Sequence, residues 1–415
     1  MHNQITLQNG VRIVYEQVPY VRSAAVGIWV GVGSRYERKD ESGSAHFIEH
    51  MLFKGTEKRT ANQLADIMDS IGGHINAYTT RETTCFYARV LDSHLDTAID
   101  LLGDMFFNSL FAENDVSSER GVIFEEIDMY DDSPEDLVSE RLVAKCFPGA
   151  LGRPILGTKR TLSAMTGQTI SAFMHRHYVP SRVVVSLCGS FSQRQLDHIT
   201  SLFSRMAAKK APSFRACSYR QSFSLKRKAT EQNHLCLGFP CIAVDDERRF
   251  ALHTLSSILG SGMSSRLFQT VREKYGLCYA VYSFSVSHKG TGLFGVTTAL
   301  NRDSEKRALA LIISEINRLC EDGVSADELS RAVEQAKSSI ILAMESTSSR
   351  MNRLGSGVTL LGECPTPDEV ISRYDAVTSE DVLTLAREIF DFSKMSFSAV
   401  GRVDSEENYR KSLEI

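Results

Sequence analysis

Leu64, Gly73 and Ala77 return as Leu267, Gly276 and Ala280, each 203 residues further along a chain of 415. In both places a helical apolar pattern stops at glycine, and an aromatic-rich pair of strand-like segments follows. A second apolar helix comes next, at 95–102 and at 308–316. The shared order of elements turns three matched positions into a duplication. A chain so built is expected to fold as two copies of one domain of about 200 residues, a length that suits a single core.

Within the first copy, strands and helices are mixed. Residues 4–7 lead into a turn at Gln8-Asn9-Gly10, and 11–16 alternate again, as a hairpin does. Residues 23–32 form a more continuous apolar run holding the only tryptophan, Trp29, which suits an interior strand. Helical spacing follows at 45–53 and at 61–71, where Gly72-Gly73 makes the stop. Residues 75–91 alternate as strands and 94–107 return to helical spacing. The expected class is therefore α+β, each domain an antiparallel-rich sheet packed with helices.

Between the copies, residues 205–229 carry eight basic side chains and no acidic one, with Pro212 and no regular period. This reads as a solvated linker rather than an anion site. The domains are accordingly expected at 1–205 and 223–415, with a basic linker at 206–222.

Composition removes several classes of function. With 47 basic and 51 acidic side chains the net charge is −4, so no global basic field points to nucleic acid. No apolar run reaches the roughly 18 residues of a membrane span, and Met1-His2-Asn3-Gln4 lacks the character of an export signal. The nine cysteines are scattered without a C-x-x-C pair. Reduced thiols in a cytoplasmic protein are expected, not a cysteine-built metal site.

The chemistry gathers in Ser44-Ala45-His46-Phe47-Ile48-Glu49-His50-Met51. Around a helix His46, Glu49 and His50 fall at about 0°, 300° and 40°, a single face. Burying these three polar groups in an apolar helix without a metal or strong partners is costly. Two neutral imidazoles one turn apart can hold one Zn²⁺ at about 2.0–2.1 Å. Glu49 then faces the open position, where it can take a proton from bound water whose pKa falls to about 7. The order is H-x-x-E-H, the reverse of H-E-x-x-H.

A catalytic zinc site needs a third protein ligand. The helical segment 116–130 offers Glu119, Glu125 and Glu126. With Glu119 at 0°, Val122, Ile123, Ile127 and Tyr130 fall at about 300°, 40°, 80° and 20°, a stripe expected to be buried. Glu126, at about 340°, lies on that stripe, whereas Glu125, at about 240°, points to solvent. Glu126 is the expected ligand. Glu119, two turns earlier on the same face, is expected to orient a ligand or bind water.

Together, His46-Phe47-Ile48-Glu49-His50, Phe53-Lys54-Gly55-Thr56, Asn76-Ala77-Tyr78-Thr79 and Glu119-Arg120-Gly121-Val122-Ile123-Phe124-Glu125-Glu126 resemble the M16 metallopeptidases. These inverzincins include the pitrilysins, insulin-degrading enzyme and the catalytic subunit of mitochondrial processing peptidase. In length the chain is most similar to the short bacterial processing-protease-like branch. The resemblance implies a metalloendopeptidase with one Zn²⁺ per chain, held by His46, His50 and Glu126, with Glu49 as general base and Glu119 as supporting acid. It also implies that a peptide substrate lies along Asn76 and Ala77 by strand addition. Val271-Arg272-Glu273-Lys274-Tyr275-Gly276-Leu277-Cys278-Tyr279 is similar to the family segment whose Arg and Tyr stabilise the oxyanion, here Arg272 and Tyr279.

Two departures stand out. At the 203-residue offset the metal motif becomes Arg249-Phe250-Ala251-Leu252-His253, so the second copy cannot build the same site. Tyr178-Val179-Pro180-Ser181 has Ser181 where the family commonly has Asn. In the family two such chains enclose the peptide as a clamshell, so a homodimer, or a heterodimer with a related subunit, is expected. The acidic run at 125–140 suggests a preference for basic peptides, with a solvated helix end as the plain alternative. The rival function is a non-catalytic M16-like structural subunit.

Overall fold

The computed structural model describes residues 2–213 and 216–413. The chain forms two compact units. One comprises residues 1–127, 153–215 and 341–366, and the other 128–152, 216–340 and 367–415.

The first unit is built on six strands: β1 (Asn3–Thr6), β2 (Arg12–Gln17), β3 (Ser23–Val30), β4 (His74–Thr79), β5 (Thr84–Leu91) and β6 (Val183–Gly189). Their order is β1-β2-β6-β3-β5-β4, with β2 and β6 parallel and all other neighbours antiparallel. β3 and β6 lie inside the sheet and are buried almost throughout, which is why both read as continuous apolar runs. Helices α1 (Ser44–Met51), α2 (Ala61–Ser70) and α3 (Leu95–Asn108) share one core with the sheet, centred on Phe47, Ile48, Met51, Phe86 and Leu102. The other face carries Val14, Trp29, Cys85 and Val184, covered by Met351, Leu354 and Val358 of the helix Thr347–Leu361. A Cβ at Gly355 would lie 1.9 Å from Trp29 Nε1, so this helix rides directly over the indole. The indole N–H donates to Ser186 Oγ at 3.0 Å.

The second unit repeats the plan with β7 (Phe223–Arg227), β8 (Asn233–Cys241), β9 (Cys278–His288), β10 (Thr291–Leu300) and β11 (Ser396–Gly401). Their order, β7-β11-β8-β10-β9, has β7 and β11 parallel and the rest antiparallel. Strand for strand this is β2-β6-β3-β5-β4 again. The glycine match shifts by one residue. Gly72 (φ +61°) ends α2, and its conformational counterpart is Gly276 (φ +60°), whereas Gly73 has no positive φ. The left-handed turn needs glycine at that single position.

Helix α4 (Glu113–Asp132) is followed by α5 (Pro134–Cys146). α5 belongs to the second unit, where Leu142 packs on Gly238 of β8 and Val138 joins Leu293 and Val400. Each sheet thus has one face covered by a helix from the opposite half of the sequence. The compact units differ from continuous stretches 1–205 and 223–415 by these two exchanged segments, 128–152 and 341–366. The physical reason is that both faces of each sheet are apolar, and the nearby helices cover only one. The expected linker has no regular structure at 207–213 and 216–222, and its Phe214 and Arg215 lie outside the described residues. In the second unit Lys228 pairs with Asp132 at 3.0 Å, neutralising part of the acidic run.

No helix among the described residues is long and apolar enough to cross a membrane. No disulfide joins any of the nine cysteines, all of which lie among the described residues.

Candidate functional site

α1 starts at Gly43, whose φ of +100° turns the chain into the helix. The Glu37 carboxyl accepts the backbone N–H groups of Gly43 and Ala45, each at 2.9 Å, and so caps the helix start. Burial pushes Glu37 up to about 8, against the pull of both backbone bonds.

One face of α1 carries His46 and His50, whose Nε2 atoms lie 3.3 Å apart. Glu126 Oε2 of α4 is 3.6 Å from each of them. These three side chains are the group of potential metal ligands found among the described residues. Two ligands on a tetrahedral zinc ion are about 3.3–3.6 Å apart, the edge set by bonds of about 2.0–2.2 Å. The observed triangle fits that edge. His50 Nδ1 meets Glu119 Oε1 at 2.7 Å, which sets the tautomer with the proton on Nδ1 and turns the Nε2 lone pair toward His46 and Glu126. Glu119 is itself held by Lys54 Nζ at 2.5 Å.

The electrostatics suit the same chemistry. Burial, then the neighbouring His50, push His46 down to about 3, so its imidazole is neutral and can offer a lone pair. Burial raises Glu126. Burial would raise Glu119 too, but the bonds from His50 and Lys54 outweigh it and hold the carboxyl below its ordinary range. Glu49, beside the triangle on α1, is raised by burial and partly pulled back by a 2.6 Å bond from Thr79 Oγ1. A carboxylate kept above its ordinary value is a better proton acceptor than one in solvent.

The structure therefore gathers His46, Glu49, His50, Glu119 and Glu126 in the first unit. Glu125 is exposed and Glu126 half-buried, as their helical angles require. The buried stripe of α4 is shorter than expected. Val116, Glu119 and Ile123 are buried, but Val122 and Tyr130 are 51% and 44% exposed. Core packing reaches only the first part of α4, and Glu126 sits at its rim. Asn76 and Ala77 lie on β4, the edge strand, whose one neighbour is β5. The Ala77 N–H donates to Asn76 Oδ1 at 2.8 Å. Arg272 and Tyr279 belong to the second unit. Arg272 is stacked between the rings of Phe268 and Tyr279, at 4.6 and 4.7 Å, and Tyr279 is 79% exposed on β9. His253, at the position matching His50, bonds Tyr374 at 2.8 Å through Nδ1.

Lys54 and Thr79 had no role in the sequence reading. Lys54 follows His50 by four residues, the helical interval that already linked His46 to His50. Thr79 follows Ala77 by two, the strand interval that puts side chains on one face.

Two family profiles match consecutive parts of the chain. The Insulinase (Peptidase family M16) profile covers residues 12–159 and the Peptidase M16 inactive domain profile covers 164–336. A protein described as an uncharacterized zinc protease of Bacillus subtilis is 42% identical over 98% of this chain and all of its own length. One of the same description from Streptomyces coelicolor is 41% identical over 95% of this chain and 88% of its own. Among solved structures, a protease from Helicobacter pylori superposes with a TM-score of 0.88 at 21% identity, covering 96% of this chain and 99% of that one. A peptidase M16 inactive domain from Pseudomonas fluorescens gives 0.89 at 18% identity, covering 97% and 99%.

Proposed function

This chain belongs to peptidase family M16, the insulinase family, and on that premise we propose that it is a zinc-dependent endopeptidase. The observation that carries the proposal is the triangle of His46, His50 and Glu126, with Glu49 beside it and Glu119 behind His50. His46 Nε2, His50 Nε2 and Glu126 Oε2 would hold the ion, one per chain. When bound, zinc supplies a Lewis acid and a water of lowered pKa. Glu49 accepts the proton of the attacking water and returns it to the leaving amine. Glu119 keeps His50 in the tautomer that presents Nε2. The peptide lies along β4 at Asn76 and Ala77, adding a strand to the sheet edge. Arg272 and Tyr279 stabilise the oxyanion, in cis or across a pair of chains that together enclose the substrate. The proposed setting is the cytoplasm.

The test is chelation followed by zinc titration, read with a library of quenched fluorescent peptides. Loss of cleavage on chelation and full recovery at one Zn²⁺ per chain support the proposal. Recovery that needs no metal overturns it, and a chain that binds zinc yet cleaves nothing fits the non-catalytic subunit instead. Pairing is tested by mixing inactive Glu49→Gln and Arg272→Ala chains: regained activity places Arg272 across the pair.

A further inference from the structure

We propose that Thr79 is a positioning residue for Glu49, fixing which carboxylate oxygen accepts the proton and tying that oxygen to the strand on which the peptide lies. The proposal rests on the reading of Glu49 as general base.

Thr79 Oγ1 donates to Glu49 Oε2 at 2.6 Å, and the Glu49 side chain makes no other hydrogen bond among the described residues. The terminal torsion of a glutamate is broad, so an unrestrained carboxylate presents either oxygen in many orientations. One short bond to Oε2 removes that freedom and leaves Oε1 to take the proton. A hydroxyl has a single proton to donate, and here Glu49 receives it. The bond also serves after proton transfer, because Oε2 remains an acceptor when Oε1 is protonated.

The donor is mounted on a rigid part. Threonine is stiff at χ1, and Thr79 is the last residue of β4, paired with Thr84 of β5. Asn76 and Ala77 precede it on the same strand, which has a free edge. A peptide added to that edge takes its register from β4, and so does the acceptor oxygen of Glu49. One short strand thus sets both partners of the reaction.

The experiment compares Thr79→Val and Thr79→Ala, which remove the donor, with Thr79→Ser, which keeps it. Zinc affinity is measured by chelator competition and Glu49→Gln is run alongside. Both donor-free variants are expected to lose about 10- to 100-fold in kcat, the scale of a misplaced catalytic group. KM should stay within about twofold, zinc affinity should not change, and Ser should restore kcat to within about threefold. Undiminished kcat in Val and Ala, or Ser as impaired as Val, overturns the positioning role, and so does an effect confined to KM. If Glu49→Gln cleaves like the wild type, the general-base reading itself falls, and this role falls with it.

Discussion

Glu125 and Glu126 are neighbours in sequence and differ by one helical step of about 100°. That angle leaves one in solvent and puts the other 3.6 Å from two imidazole nitrogens. Glu126→Gln should weaken zinc binding by more than about 100-fold, beyond what changing an outer partner does. Glu125→Gln should leave it within about twofold, and chelator competition separates the two. Glu37 makes a different prediction. In the folded chain its carboxyl holds its proton up to about 8, against an ordinary value of 4.5. Folding therefore takes up a proton between those values. The stability from Glu37 is full below pH 4.5 and is lost as pH rises through about 8. Denaturant midpoints should fall from pH 5 to pH 8 in the wild type, and Glu37→Gln should flatten that slope. An unchanged slope would mean the proton is not held there. The grouping of His46, His50 and Glu126 was legible because helical angles follow from spacing alone. Thr79 was not, because a strand residue meets Glu49 only once a hairpin register and a packing angle are set, and Lys54 was not, because it meets Glu119 only once α4 packs beside the end of α1.

Among the elements, β3 was the most readable, since it is interior and its apolar run carries β-branched residues and Trp29, whereas the equally buried run of β6 had no place in the sequence reading. The α4 stripe was over-extended because periodicity says which residues share a face and not how far a core reaches along it. What covers the outer face of the first sheet was not readable at all. The helix Thr347–Leu361 depends on Gly355, where a Cβ would meet Trp29 at 1.9 Å on Nε1 and 2.3 Å on Cδ1. Gly355→Ala should lower stability by about 1–3 kcal/mol, the cost of overpacking, despite alanine's better helix propensity. Calorimetry of the variant checks this, and an unchanged or raised Tm would show that the helix can lift off the indole freely.

At the scale of the molecule, duplication was visible in the matched order of elements, and the common strand order of the two sheets accounts for it. The exchange of helices was hidden, because no pattern within one half records a partner in the other, whether Leu142 against Gly238 or Trp29 against Gly355. Its consequence is that a fragment of residues 1–205 lacks Met351, Leu354 and Val358 over Val14, Trp29 and Val184. Such a fragment should fail to unfold cooperatively, and Trp29, 2% exposed in the whole chain, should emit as a solvated indole. Cooperative unfolding with blue-shifted emission would mean the sheet needs no cover. The duplication leaves one triangle of potential metal ligands among the described residues, in the first unit. The whole account of function stands on Glu49 acting beside it. The decisive measurement is kcat of Glu49→Gln loaded with zinc to the same stoichiometry as the wild type. A fall of about 100-fold or more with zinc retained is predicted. Equal cleavage by the two proteins would contradict it.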